Sequence, residues 1–103
     1  MFFFVFLQPK QTKSDPKAQH LMVKRIGTIT IFIRERLQSA NVNSVLSEHA
    51  GIILCRQGLP FRDRDVAVIA LVVEGLMDQI NALTGRLGRL PGVECKAVVT
   101  KMQ

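Results

Sequence analysis

Four segments of the chain carry the alternating or fully apolar pattern that is typical of β-strands. In residues 25–33 (RIGTITIFI), every second position from Ile29 to Ile33 is isoleucine, so one face of this strand is expected to be buried. Residues 66–74 (VAVIALVVE) are apolar on both faces. The other two strands are predicted at residues 52–59 and 93–99.

Two further segments repeat apolar residues at the i, i+3, i+4, i+7 spacing of an amphipathic helix. The first predicted helix covers residues 38–50 and stops at Gly51, and the second stops at Gly88, because glycine is common directly after a helix. The apolar stripe of the first helix is formed by Val42, Val45, Leu46 and His49, and that of the second by Met77, Ile80, Leu83, Thr84 and Leu87.

These elements follow one another in the order β-α-β-β-α-β. The polar segment PFRDRD at residues 60–65 is short enough to join the second and third strands as a hairpin, and each helix connects strands that can lie parallel. The order therefore predicts an α+β fold, the ferredoxin-like βαββαβ sandwich, in which a four-stranded antiparallel sheet carries two helices on one face.

The opposite face of such a sheet has no helix to cover it. On the strand at residues 66–74 that face is as apolar as the one toward the helices, and an uncovered apolar surface usually marks an interface. We therefore expect a homo-oligomer, a dimer or larger, that forms through the sheet face.

Residues 1–22 are predicted to be an N-terminal extension, partly flexible or docking on a neighbour, ahead of one domain at residues 23–103. The extension opens with the apolar run FFFVFL and continues as a polar stretch with Pro9 and Pro16. That run is shorter than the apolar stretch of a secretory signal and no basic residue precedes it. Two interpretations remain open: an upstream segment with Met22 as the true start, and an apolar arm that docks on a neighbouring subunit.

Composition narrows the class of protein. At 103 residues the chain has room for one domain of ordinary size. No apolar run approaches the roughly 20 residues that cross a bilayer, so we expect no membrane insertion. Two cysteines cannot form a disulfide-rich scaffold, which makes a reduced, cytoplasmic setting the default expectation.

The formal net charge of +6 raises the question of nucleic-acid binding. RNA recognition on a sheet of this kind needs aromatic side chains for base stacking, and Phe32 is the only aromatic residue in the four predicted strands. DNA recognition needs a reading element such as a helix-turn-helix, and residues 1–21 have no such pattern. The sequence therefore argues against direct nucleic-acid binding.

Signals for metal binding or catalysis are weak. The four residues His20, His49, Cys55 and Cys95 show no C-x-x-C or H-x3-H spacing, so we expect no metal or other cofactor and two reduced cysteines. No serine lies in a nucleophile elbow and no carboxylates are paired for acid–base work, so we expect no catalytic residues. A metal site that uses Cys55 with His49 is kept as an alternative.

The strongest candidate for a ligand site is the hairpin at residues 58–65 (GLPFRDRD). Arginine binds a carboxylate or a phosphate through two parallel hydrogen bonds, so arginines around one turn can hold an anion. We predict a small anionic ligand bound by Arg56, Gly58, Pro60, Phe61 and Arg62. The competing interpretation is a solvated turn in which the arginines pair with Asp63 and Asp65 while Phe61 only locks the dimer.

Two segments are distinctive as sequences: GIILCRQGLPFR at residues 51–62 and LTGRLGRLPGV at residues 83–93. Together with the run RIGTITIFIRER they resemble a family of small bacterial proteins named as regulators of the iron-only hydrogenase system, an ACT-like family. The resemblance covers about residues 23–101 and implies a ferredoxin-like, ACT-like regulatory domain. It also implies a fold similar to the metal-binding domain of nickel-responsive regulators, where His and Cys hold the metal. Cys55 matches such a Cys, but the strands lack the His partners.

The sequence and the resemblance together predict a non-catalytic, ACT-like regulatory module that binds a small ligand and regulates an iron-only hydrogenase system. One alternative is a metal- or redox-responsive regulator that uses Cys55. The other is a small dimeric α+β enzyme, which would need a polar cavity on the open sheet face.

Overall fold

The computed structural model describes the strand at residues 4–7 and residues 23–100. The elements in chain order are β1 (Phe4–Leu7), β2 (Arg25–Ile33), α1 (Ser39–Glu48), β3 (Ile53–Phe61), β4 (Val66–Gly75), α2 (Met77–Gly88) and β5 (Val93–Thr100). Single turns of 3-10 helix flank α1, at Arg36–Gln38 and Ala50–Ile52. Within residues 23–100, neither helix has the length and apolar character that crossing a membrane requires.

The strands form one antiparallel sheet in the order β1-β3-β4-β2-β5. The four strands from β2 to β5 and both helices are the elements that the hydrophobic periodicity predicts, and the predicted ferredoxin-like α+β fold is confirmed. The contiguous pairing of β3 with β4 is the hairpin expected from PFRDRD. Both crossovers, through α1 and α2, leave the helices on the same side of the sheet.

The strand β1 comes from the segment predicted as an N-terminal extension, and it pairs with the edge of β3 in its own chain. Its register places Val5 opposite Gln57. A strand that pairs with an open sheet edge stabilises it, because the strand forms hydrogen bonds with the unpaired backbone groups of that edge. The other residues of the predicted extension lie outside the described part of the chain.

The hydrophobic core lies between the helices and one face of the sheet. On β2 the buried side chains are those at every second position, and on β4 they are Ile69, Leu71 and Val73. The helices contribute the stripes that the sequence predicts. Their buried members are Val42, Val45 and Leu46 on α1 and Ile80, Leu83 and Leu87 on α2.

A register shift in β3 decides which side chains of that strand face the helices. Ile53 pairs with the buried Val73, but the next pair is Cys55 with Val72, so the strand bulges at the residue between them. Beyond the bulge, the residues of β3 that share a face with the helix-facing side of β4 are Arg56, Gly58 and Pro60. The residues on the opposite face are Cys55, Gln57, Leu59 and Phe61.

Candidate ligand pocket at the hairpin

A pocket of about 440 Å³ lies at one end of the sheet, where the β3–β4 hairpin meets the connection from β2 to α1. These two chain segments come together because Ile33, the last residue of β2, pairs with Ala67 near the start of β4. The pocket is lined by Ile33, Arg36, Ser39, Pro60, Phe61, Arg62, Asp65, Val66 and Ala67. Its volume falls within the roughly 300–1,000 Å³ of ordinary small-molecule sites.

The apolar part of the pocket is one row across three strands. Pro60 of β3, Ala67 of β4 and Ile33 of β2 are successive partners in the sheet register, on the helix-facing side. The equivalent row one step further into the sheet holds Ile69 on β4, which is buried in the core. Ala67 therefore leaves space at the sheet end that larger residues fill elsewhere on the same face.

Charged side chains form the rim of the pocket. Arg36 Nη2 lies 2.9 Å from Asp65 Oδ1, so an ion pair links the segment before α1 to the hairpin. Among the described residues no carboxylate pairs with Arg62. Two guanidinium groups and one carboxylate give the lining a formal surplus of one positive charge.

Asp65 occupies the end of the hairpin turn with a left-handed backbone, φ 56°. Aspartate tolerates this conformation better than most residues because its short polar side chain can bond locally. The turn is closed by the amide of Arg64, which donates to the carbonyl of Phe61 over 3.1 Å. These two features fix the backbone from which Arg62 and Asp65 project.

The segment that carries Arg36 is held from the other side by the turn before β5. The amide of Arg34 donates to the carbonyl of Gly92 over 2.8 Å, and the Arg34 guanidinium donates to Glu94 over 3.0 Å. Gly92 has a left-handed φ of 72°, and a Cβ there would overlap the side chain of Glu35. The LPGV turn that the sequence singles out thus supports one wall of the pocket.

Three of the five predicted ligand residues, Pro60, Phe61 and Arg62, line this pocket. Arg56 and Gly58 do not line it, because the β3 register sets them further along the strand on the helix-facing side. Phe61 is half-buried, and the Arg64 guanidinium of its own hairpin lies over its ring, 5.5 Å from the centroid.

Arg56 contacts α1 rather than the hairpin. Its Nη2 donates to Asn43 Oδ1 over 2.9 Å, and its buried Nε has no hydrogen-bond partner among the residues that the structure describes. Burial lowers the pKa of the Arg56 guanidinium from its ordinary value. This arginine therefore ties β3 to the first helix.

Sequence reasoning did not place Arg36 and Ser39 in the site. The signal that would have found them is topological: in the β-α-β-β-α-β order, the exit of the first core strand and the central hairpin lie at the same end of the sheet. Of the two competing carboxylates, Asp65 does pair with an arginine, but with Arg36 rather than with a hairpin arginine.

The cysteines and His49 are separated by the layers of the fold. Cys55 lies on the sheet face away from the helices, whereas His49 follows α1 and its Nδ1 is 2.8 Å from the carbonyl oxygen of Val45. Cys95 lies on the helix-facing side, where its thiol donates to the carbonyl of Thr84 over 3.7 Å and burial raises its pKa. Within the described ranges, no three His, Cys, Asp or Glu residues are grouped as a metal site would need.

A second surface feature is the sheet face away from the helices. Phe32 of β2, Val68 of β4 and Leu59 of β3 are register neighbours on it, and Val72 lies on the same face of β4 four residues further on, beyond the row of Gln57, Ala70 and Thr30. We call these four residues the open-face patch. All four remain partly accessible, and on the neighbouring β5 the side chain of Val98 is 67% exposed. Glu94 and Lys96 lie on the same face of β5.

Comparisons with known proteins agree with this architecture. Residues 25–97 match the model of the TM1266-like family, described as "Iron-only hydrogenase system regulator, putative". Among solved structures, the uncharacterized protein TM1266 from Thermotoga maritima is 38% identical to this chain, with a TM-score of 0.72. The match covers 76% of this chain and 99% of that one. A comparison with curated proteins finds no match.

Proposed function

The chain belongs to the TM1266-like family of iron-only hydrogenase system regulators, and from this premise we propose that it is a non-catalytic regulatory module that binds a small ligand in the hairpin pocket. Self-association through the open-face patch and a cytoplasmic setting are part of the same proposal. The observation that carries it is the pocket itself, which combines an apolar row with a rim of two arginines.

The pocket has the features of a binding site for a small molecule. Such sites are concave and mostly apolar, with a few convergent polar groups that fix the orientation of the ligand. Here Ile33, Pro60 and Ala67 supply the apolar surface, and Arg36 and Arg62 supply groups that bind an anion. The site also joins two separate chain segments, so occupancy would tie the hairpin to the start of α1.

The lining supports binding rather than catalysis. It includes one hydroxyl, Ser39, and one carboxylate, Asp65, which is already paired with Arg36. Neither His nor Cys is among the lining residues, so the Ser–His and Cys–His pairs that are common in covalent catalysis are not part of this lining. The enzyme alternative needs a polar cavity on the open sheet face, whereas the candidate pocket lies at the end of the sheet, between the hairpin and the start of α1.

A thermal-shift screen of the purified chain against a library of small metabolites tests ligand binding. A ligand that binds the folded state raises the unfolding temperature by mass action. We expect stabilising compounds to be anions, and we expect Ala67→Phe, which fills the pocket, to abolish their effect. Anions that stabilise wild type and Ala67→Phe equally, or a library without any stabilising compound, would contradict the proposal.

The open-face patch supports self-association with a second copy of the chain. A two-fold interface brings the same surface together with itself, so it needs a self-complementary patch, and apolar side chains with charges of both signs beside them meet this need. Leu59, Val68 and Phe32 form an apolar row of the patch, Gln57 and Thr30 lie in the row between them and Val72, and Glu94 and Lys96 lie beside the patch on β5. A two-fold partner can therefore place opposite charges across the contact.

Light scattering after size-exclusion chromatography tests this part of the proposal. We expect the wild type to have at least the dimer mass at micromolar concentration and Val68→Lys to shift it to the monomer, because the lysine places an unpaired charge in the patch. The matched control is Leu37→Lys, since Leu37 is 89% exposed outside the sheet. A monomeric wild type, or equal dissociation by both variants, would contradict the interface.

A further inference from the structure

We propose that the ligand of the hairpin pocket is a small monocarboxylate with a branched aliphatic body, and that it binds by displacing Asp65 from Arg36. This inference rests on the proposed function and adds the chemical class of the ligand. In the bound state Arg36 and Arg62 hold the carboxylate while the aliphatic body lies on the row of Ile33, Ala67 and Pro60.

The net charge of the pocket lining favours a ligand with a single negative charge. Arg36, Arg62 and Asp65 together carry a surplus of one positive charge, which a monocarboxylate neutralises. A phosphate dianion would overcompensate this surplus and place its second charge near the Asp65 carboxylate. An amino acid zwitterion would leave the surplus in place and bring a strongly hydrated ammonium group to an apolar surface.

The ion pair at the rim can be exchanged at little cost. The side chains of Arg36 and Asp65 are 74% and 70% exposed, and pairs this accessible to water are weak because solvent screens them. A ligand carboxylate that bonds to Arg36 and Arg62 together is held by two guanidinium groups, and its bond to Arg36 is therefore stronger than the one that Asp65 forms. Asp65 then returns to water, to which it is already exposed.

The apolar row selects the body of the ligand. Pro60 and Ala67 are partly exposed and have no long or polar side chain, and Ile33, with 3% exposure, only closes the inner end of the row, so a polar body would find few partners along it. A branched chain covers such a row better than a straight one, because its methyl groups contact neighbouring residues at once. A pocket of about 440 Å³ accepts a body of this size without rearranging the strands.

Isothermal titration of the full chain with four probes tests the ligand class. The probes are 4-methylpentanoate, the matched alcohol 4-methylpentan-1-ol, leucine and inorganic phosphate. We expect 4-methylpentanoate to bind at least about tenfold more tightly than each of the others, since a charged hydrogen bond is lost with the alcohol. Tighter binding of leucine, phosphate or the alcohol would overturn the proposed class.

Variants of the rim distinguish this arrangement from general attraction to a basic protein. Arg62→Gln and Arg36→Gln are each expected to weaken 4-methylpentanoate binding by about tenfold. Asp65→Asn is expected to tighten it by about two- to fivefold, because Arg36 loses its competing partner while asparagine tolerates the same backbone. Arg86→Gln is the matched control, since Arg86 of α2 forms an exposed pair with Glu48 of α1 away from the pocket.

The outcomes separate this inference from the proposed function. Weaker binding in Asp65→Asn, or an equal loss in Arg86→Gln, would overturn the exchange of partners at Arg36. If a different compound binds with the same dependence on Arg62 and Ala67, the ligand class is wrong while the regulatory pocket stands. If neither the four probes nor any library compound binds, both the inference and the proposed function fail.

Discussion

Replacing Gly92 by alanine tests how the turn before β5 supports the pocket. Gly92 has φ 72°, a left-handed conformation that costs an alanine about 1–2 kcal/mol. The new Cβ would also overlap the Cγ of Glu35, so the Glu35 side chain must leave its rotamer, at about 1 kcal/mol, and the 2.9 Å contact with the Glu35 Cβ requires a small backbone shift as well. We therefore expect Gly92→Ala to lower the free energy of unfolding by about 2–3 kcal/mol.

Equilibrium unfolding in urea measures this loss, and the control is a variant that is expected to raise the free energy of unfolding. Gly85 lies inside α2 with no atom within 4 Å of an added Cβ, so Gly85→Ala is expected to stabilise the protein by about 0.5–1 kcal/mol. In a double-mutant cycle, Glu35→Ala should recover the part of the Gly92→Ala loss that comes from the Glu35 Cγ, and leave the backbone part and the contact with the Glu35 Cβ. If Gly92→Ala unfolds at the same urea concentration as the wild type, the reasoning about this turn is refuted.

Three further predictions concern the core and the cysteines. Leu83 is 0% exposed, so Leu83→Ala should lower the free energy of unfolding by about 2–5 kcal/mol in urea, whereas Leu37→Ala, at an exposed site, should change it by less than about 0.5 kcal/mol. Burial raises the pKa of the Cys95 thiol, so the unfolded chain loses this proton at a lower pH than the folded chain does. The contribution of this thiol to the free energy of unfolding is therefore complete below the ordinary thiol pKa and is lost as pH rises through the pKa of the folded state. Urea unfolding between about pH 8 and about pH 10 should therefore show a steeper decline in the wild type than in Cys95→Ala, and equal slopes would argue against it. Elemental analysis of the purified protein should find no stoichiometric nickel, zinc or iron, and a metal that is retained by wild type and lost in Cys55→Ala would favour the metal-responsive alternative.

The fold was predictable because its core residues follow two periodicities, the alternation of a strand and the repeat of an amphipathic helix. The isoleucines at alternate positions of β2 and the stripe that includes Leu83 on α2 are buried where the pattern places them. Turn residues supplied the boundaries, since the hairpin at PFRDRD and the helix stop at Gly88 both follow from local backbone preferences. Periodicity predicts these elements because each one must bury an apolar face against the others.

The pairing of β1 with β3 could not be predicted in the same way. An isolated apolar run satisfies its backbone equally well on its own sheet or on that of a neighbour, so its pattern does not select the partner. The bulge after Ile53 is also invisible in the pattern, because both faces of β3 carry a mixture of apolar and polar residues. That bulge moves Arg56 to the helix-facing side, where it contacts Asn43.

The candidate site was partly predictable. The hairpin residues Pro60, Phe61 and Arg62 were named because arginines and an aromatic ring are unusual together in a short polar turn. The ion pair of Arg36 with Asp65 was not predicted, since it joins two segments about thirty residues apart that meet only in the folded sheet. The local sequence determines which side chains each segment brings to the pocket, and the sheet register determines which segments lie next to each other.

Amide hydrogen exchange, read by mass spectrometry on the full chain with and without saturating 4-methylpentanoate, tests the central claim most directly. Binding in the hairpin pocket is expected to slow exchange in residues 33–39 and 61–67, the two segments that the ligand would join, and to leave α2 unchanged. Ala67→Phe should show no such protection. Protection confined to α2 or β5, or the same protection in Ala67→Phe, would contradict a ligand site at the hairpin.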